Sequence, residues 1–142
     1  MAWTRTTRWR ALLAAALDLP PYEPVVSAVV RGAADSPSTD LLAAWLHVKL
    51  GCPVQREVAG EHGMHSVELD RDAGRIVLSR PEGAQAVLSQ PDEPDHRLGL
   101  ARRSVAECLA EELRRLDPDV TYSQVVRSLL EHGAAGPEDA AA

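Results

Sequence analysis

Four groups of residues have types and spacing that could do chemistry. The first is Gly32-Ala33-Ala34-Asp35-Ser36-Pro37-Ser38-Thr39, which joins a β-branched run to the start of a helical pattern. At such a junction free backbone N–H groups and the positive end of the helix dipole attract phosphate, so a sugar-phosphate or nucleotide site is one reading. Against it, neither GxGxxG nor the Walker pattern is present, and Asp35 and Asp40 repel an anion. Ser, Asp and Pro are also ordinary helix-starting residues, and capping is the stronger reading.

The second group is His47, Cys52, His62 and His65, whose side chains are the usual zinc ligands. No Cys-x-x-Cys or His-Glu-x-x-His pairing accompanies them, so loop histidines are expected and no metal or cofactor. Cys52 follows a helix-ending glycine and Cys108 falls within an apolar helical stripe, which suits packing rather than nucleophilic work, both thiols being reduced. Glu107, Glu111 and Glu112 resemble an acid/base set, yet on a helix they alternate with Arg114 and Arg115 along a solvated face. No catalytic residue is assigned. The last group, Arg80, Arg97, Arg102 and Arg103, could form a basic patch, and arginine is enriched at protein interfaces, so a partner contact and a solvated rim are equally reasonable.

The elements that position these groups follow from periodicity. Trp9, Leu12, Leu13 and Leu17 predict a helix over Thr7 to Leu17, ended by Pro20-Pro21. Val25 to Arg31 is nearly continuous in apolar residues, as for a central strand buried on both faces. Leu41, Leu42, Trp45, Leu46 and Leu50 predict a helix over Pro37 to Leu50, with Ser36 as N-cap and Gly51 as terminator. Trp45 is expected in the core. Residues 53–58 read as a strand, giving a βαβ unit with a parallel pair. Downstream the period falls to two: Val67 and Leu69, Ile76 and Leu78, Ala84 to Leu88, and Leu98 and Leu100 alternate with polar residues between short turns. An antiparallel meander of four strands follows. Its expected cover is a C-terminal helix pair. The first helix has a capping box at Ser104 and Glu107 and an apolar stripe of Val105, Leu109, Leu113 and Leu116. The second has capping-box spacing at Thr121 and Gln124 and a staple of Val120 and Val125, and ends at Gly133.

The reading is therefore α+β: one βαβ unit, then an antiparallel β-meander, with helices packed on the sheet. It occupies a single domain over 1–133, with a disordered tail over 134–142. The composition agrees, with 45% hydrophobic and 25% charged residues in 142, only 4% aromatic and no Phe, so Leu, Val and Ala must build the core. A net charge of -6 argues against a nucleic-acid partner, and no apolar run reaches the roughly 20 residues of a membrane span, so no membrane partner is expected. With no secretory signal, the cytoplasm is the expected location.

Beyond periodicity, a series of words in order resembles a known family. They are Ala2-Trp3-Thr4-Arg5, Trp9-Arg10, the run from Gly32 through Trp45-Leu46, Leu50-Gly51, Pro53-Val54, Arg80-Pro81 with Gly83, Leu88-Ser89 and Pro94-Asp95. Arg102-Arg103-Ser104, Glu107 and the run Glu111 to Asp119 with Tyr122 complete the series. Over residues 2 to about 130 the chain resembles the C-terminal domain of OpcA, the glucose-6-phosphate dehydrogenase assembly family. The resemblance implies a non-enzymatic protein that binds glucose-6-phosphate dehydrogenase and promotes its active oligomer, supporting NADPH supply through the oxidative pentose phosphate pathway. It also implies a further N-terminal domain in most relatives. It places no redox motif on Cys52 or Cys108. The partner-contact candidates are Asp35, Ser36, Ser38, Thr39 and Asp40, where the family wording is dense yet partly polar, and Arg80, Arg97, Arg102 and Arg103. The alternatives are a sugar-phosphate sensor built on the 32–39 loop and an inert structural domain.

Overall fold

The helix over Pro37–Leu50 forms where its punctuation places it. Ser36 accepts the Thr39 N–H on its Oγ at 3.3 Å, Pro37 occupies the first turn, and Gly51 closes the helix at φ 63°, a left-handed conformation costly for other residues. The computed structural model describes residues 1–133; the tail expected over 134–142 lies outside them. In chain order the elements are α1 (Ala2–Arg5), α2 (Thr7–Leu17), β1 (Ser27–Gly32), α3 (Pro37–Leu50), β2 (Val54–Val58) and β3 (Met64–Asp70). They continue with β4 (Ile76–Ser79), β5 (Gln85–Ser89), β6 (His96–Gly99), α4 (Val105–Arg114) and α5 (Val120–His132).

The strands make one sheet in the order β2-β1-β3-β4-β5-β6. β1 and β2 are parallel, joined by α3, and β3 to β6 form the antiparallel meander, so the α+β arrangement of a βαβ unit followed by a meander is observed. Alternation puts Ala28, Val30, Val67, Leu69, Ile76, Leu78 and Ala86 on one face. There they share a core with Trp9, Leu13 and Ala16 of α2 and Leu42, Ala43 and Leu46 of α3.

Three expectations are corrected. β1 lies inside the sheet but is buried on one face only, with Ser27, Val29 and Arg31 half-buried. The other face carries a charged ladder, Arg31 with Glu57 at 2.6 Å and with Glu68, and Arg75 with Glu68 at 3.1 Å and Asp70 at 2.6 Å. Charges from β2, β3 and the β3–β4 turn, distant in sequence, decide that face. Second, the sheet is covered by α2 and α3 rather than by the C-terminal helices. α3 buries Leu41 and Ala44 as well as Leu42 and Leu46, so it is apolar nearly all round and accepts a second layer on its outer side. Trp3 and Val125 join Leu41 and Ala44 there, with Trp45 half-buried between the two clusters. Third, α5 begins on Asp119, whose Oδ1 accepts the Tyr122 N–H at 2.9 Å, and not on Thr121.

Candidate functional site

The loop after β1 is held by a side chain from the neighbouring strand. Arg56 of β2, almost wholly buried, donates to the Gly32 carbonyl oxygen at 2.9 Å, to the Ala33 carbonyl oxygen, and to Asp40 Oδ1 at 2.9 Å. This clamp fixes the turn into α3 and neutralises Asp40. Thr39 is fully buried, its Oγ1 donating to Ser36 Oγ at 2.7 Å. Ser38 is buried as well and donates to the Ala2 carbonyl oxygen at 3.0 Å, which ties α1 to α3.

Beside this helix start lies a cleft of about 180 Å3. Asp35, Ser36 and Ser38 line one side, and Arg80, Arg102 and Arg103 line it from the end of β4 and the segment after β6. Two sets of candidates separated by more than forty residues in sequence thus meet in one place. Arg5, Arg8 and Trp9 complete the wall. They escape the sequence reading, although their spacing of three and four residues on helical segments is the signal that puts them on one face.

Arg80 is the most constrained of these groups. It is 4% exposed, donates to the Leu100 carbonyl oxygen at 2.8 Å and the Met64 carbonyl oxygen at 3.2 Å, and stands 5.3 Å from the centroid of the buried Trp9 ring. Burial, with repulsion from Arg102 added, lowers its pKa to about 10. Arg102 is exposed and donates to the His62 carbonyl oxygen at 2.6 Å. Arg103 pairs with Glu111 and donates to the Thr4 carbonyl oxygen at 3.1 Å. Arg97 is not part of the cleft. It sits on β6 opposite Val87, on the open face of the sheet.

A second feature lies next to the cleft, in α4. The capping box expected at its start is present, with Ser104 accepting the Glu107 N–H at 3.2 Å and Glu107 accepting the Ser104 N–H at 2.8 Å. Its polar side is turned inward: Glu112 accepts from Thr4 Oγ1 at 2.8 Å, Glu111 pairs with Arg103, and Cys108 is fully buried. The apolar stripe, expected to pack on the sheet, faces outward instead, with Val105 54%, Leu109 45%, Leu113 67% and Leu116 90% exposed. The physical reason is that Thr4 and Arg103 offer polar partners to this side, which draws the carboxylates in and leaves the leucines out. Glu111 and Glu112 therefore dock a helix rather than line a solvated face.

The remaining candidates are accounted for locally. Cys52 and Cys108 are both free and buried, and burial pushes the Cys52 thiol up, away from thiolate chemistry. His47 is bonded through Nδ1 to the Cys52 carbonyl oxygen at 3.1 Å, and His65 falls within β3 rather than in a loop. Among the described residues no group of three or more His, Cys, Asp or Glu is placed to hold a metal ion, and no helix is long and apolar enough to cross a membrane.

Comparison with known families adds one finding. The family model that matches residues 1–126 is described as the C-terminal domain of a glucose-6-phosphate dehydrogenase subunit. No curated protein and no solved structure matches the chain. The matched span runs from α1 into the middle of α5 and so takes in the sheet, the arginine cleft and the outward face of α4. On that match, the chain belongs to the OpcA family associated with glucose-6-phosphate dehydrogenase, and corresponds to the C-terminal domain of that family.

Proposed function

We propose that this domain is a binding module for glucose-6-phosphate dehydrogenase, engaging the enzyme through the outward face of α4 and favouring its active oligomer. The observation that carries this reading is the inverted helix: Val105, Leu109 and Leu113 stand in solvent while Glu111 and Glu112 of the same helix bond to Arg103 and Thr4. A contiguous apolar stripe on a small protein marks an interaction surface. Its surroundings fit interface anatomy, an apolar centre with an arginine-bearing rim, here Arg102 and Arg103 at the N-terminal end of the helix. The family supplies the occupant, since its description names a subunit of that enzyme.

The work of such a module is thermodynamic. A partner that binds the active oligomer more tightly than its dissociated form shifts the assembly equilibrium by that difference in affinity, without contributing a group to hydride transfer. Of the interface candidates marked by residue type and family wording, Asp35 and Arg102 are exposed, Arg102 being held to the His62 carbonyl oxygen, whereas Arg103 is tied to Glu111, Asp40 to Arg56, and Ser36, Ser38, Thr39 and Arg80 are buried. The apolar stripe is therefore the better target.

The test is the double variant Leu109→Asp/Leu113→Asp in sedimentation with the dehydrogenase. Both positions are exposed, so the cost to stability should be confined to helix propensity and the helix dipole, about 1–2 kcal/mol for the pair. Burying two carboxylates in a desolvated contact should cost several kcal/mol, a loss of binding of at least about a hundredfold. Unchanged binding by the folded variant would contradict the assignment of this face. Sedimentation of the chain alone separates a self-association surface from a dehydrogenase surface.

A further inference from the structure

The cleft between the start of α3 and the β6–α4 segment has a composition that helix docking does not explain. Five arginines, Arg5, Arg8, Arg80, Arg102 and Arg103, face a single carboxylate, Asp35. Only Arg103 among them has a carboxylate partner within the described residues. Three buried N–H donors lacking any hydrogen-bond partner among the described residues belong to side chains in this same wall: Trp9 Nε1, Arg80 Nε and Arg103 Nε. Trp9 and Arg80 are 1% and 4% exposed, so solvent does not satisfy them. The wall thus holds an excess of donors and of positive charge, and an anion entering the cleft would meet the exposed guanidinium groups of Arg5, Arg8 and Arg102.

We propose that this cleft binds a phosphorylated small molecule through its phosphate group. A phosphomonoester dianion supplies both what the wall lacks, several acceptor oxygens in tetrahedral array and more than one negative charge. A monocarboxylate supplies fewer of each. The start of α3 adds its dipole, and the Ser38 amide there has no backbone partner. Asp35 opposes the anion but is exposed and on the rim. The volume, about 180 Å3, falls below the roughly 300–1,000 Å3 of drug-sized sites, which suits a phosphate on a short carbon skeleton rather than a dinucleotide. Ligand binding can be tested without the dehydrogenase, because every group that holds the ligand lies in this chain, even though Arg102 and Arg103 also flank the α4 face.

The experiment is calorimetric titration and thermal unfolding of the chain with inorganic phosphate, a hexose phosphate and the unphosphorylated hexose. The parent and the Arg8→Glu/Arg102→Glu variant are compared, both positions being exposed. Saturable binding of phosphate and hexose phosphate with Kd of about 1 mM or below, none of the hexose, and at least about tenfold weakening in the variant are expected. No binding by the parent at about ten times that concentration would overturn the proposal. So would stabilisation that the variant retains in full, which is the general salting effect of phosphate on any fold. If the variant instead loses the dehydrogenase while the parent ignores phosphate, the arginines belong to the protein interface and the ligand site is refuted.

Discussion

Replacing Asp119 by Ala should cost this fold more than its half-exposed position suggests, because one carboxylate holds two ends of the chain together. Oδ1 caps α5 by accepting the Tyr122 N–H at 2.9 Å, and Oδ2 accepts the indole N–H of Trp3, 116 residues away, at 2.9 Å. Losing the cap costs about 1 kcal/mol. Stranding the indole donor of Trp3, which is only 8% exposed, costs a further ~1–3 kcal/mol. The sum, about 2–4 kcal/mol, corresponds to a fall in Tm of roughly 8–16 °C for a domain of this size. Asn caps as well as Asp but offers a single oxygen, so Asp119→Asn should lose one bond and about 1–2 kcal/mol. Urea unfolding followed by tryptophan fluorescence measures both.

The same residue gives a pH signature. Burial pushes the Asp119 carboxyl up, but the Tyr122 N–H, the Trp3 indole and the charges of Arg10 and Arg115 outweigh burial and hold it below the usual range. A depressed carboxylate stabilises the fold fully above its unfolded pKa of about 3.9 and loses that contribution as pH falls through the folded value. The gap between parent and Asp119→Ala should therefore be constant near neutrality and narrow below about pH 4. An Asp119→Ala protein within about 0.5 kcal/mol of the parent at pH 7 would refute the reasoning.

Other outcomes follow from the same geometry. Gly32→Ala should destabilise by about 1–3 kcal/mol in thermal unfolding, because a Cβ there collides with Thr39 Oγ1 and comes within 2.7 Å of the Gly63 carbonyl oxygen. Ser104→Ala removes the α4 cap and should cost about 1 kcal/mol in the same assay, with hydrogen exchange faster in the first turn of the helix. Leu13→Ala, at a fully buried position beneath the sheet, should cost about 2–5 kcal/mol in urea unfolding.

What the sequence discloses here depends on whether a signal is local. α3 is legible to the residue because Ser36, Pro37 and Gly51 act on their own neighbours, and the meander is legible because alternation and turn residues are local too. The single-faced burial of β1 is not, since the charges that solvate Arg31 come from Glu57 and Glu68 on other strands. Nor is the direction of α4. Its leucine stripe has the periodicity of a core helix, and only the docking of Thr4 and Arg103 against Glu112 and Glu111 turns it outward. The cleft is half legible: Asp35, Ser36, Ser38, Arg80, Arg102 and Arg103 stand out by type and by family wording, whereas Arg5, Arg8 and Trp9 enter through the packing of α1 and α2. Arg97 shares only its charge with the others, and its place on β6 keeps it out of the cleft, on the open face of the sheet.

Binding glucose-6-phosphate dehydrogenase and favouring its active oligomer is the work proposed for this domain. The most direct test is titration of the enzyme from the same source with this chain, following sedimentation and dehydrogenase activity together. A mixed complex, with activity rising in step with the fraction of enzyme in its active oligomer, is the predicted result. Enzyme whose sedimentation and activity are both unchanged by a saturating excess of the folded chain would contradict it.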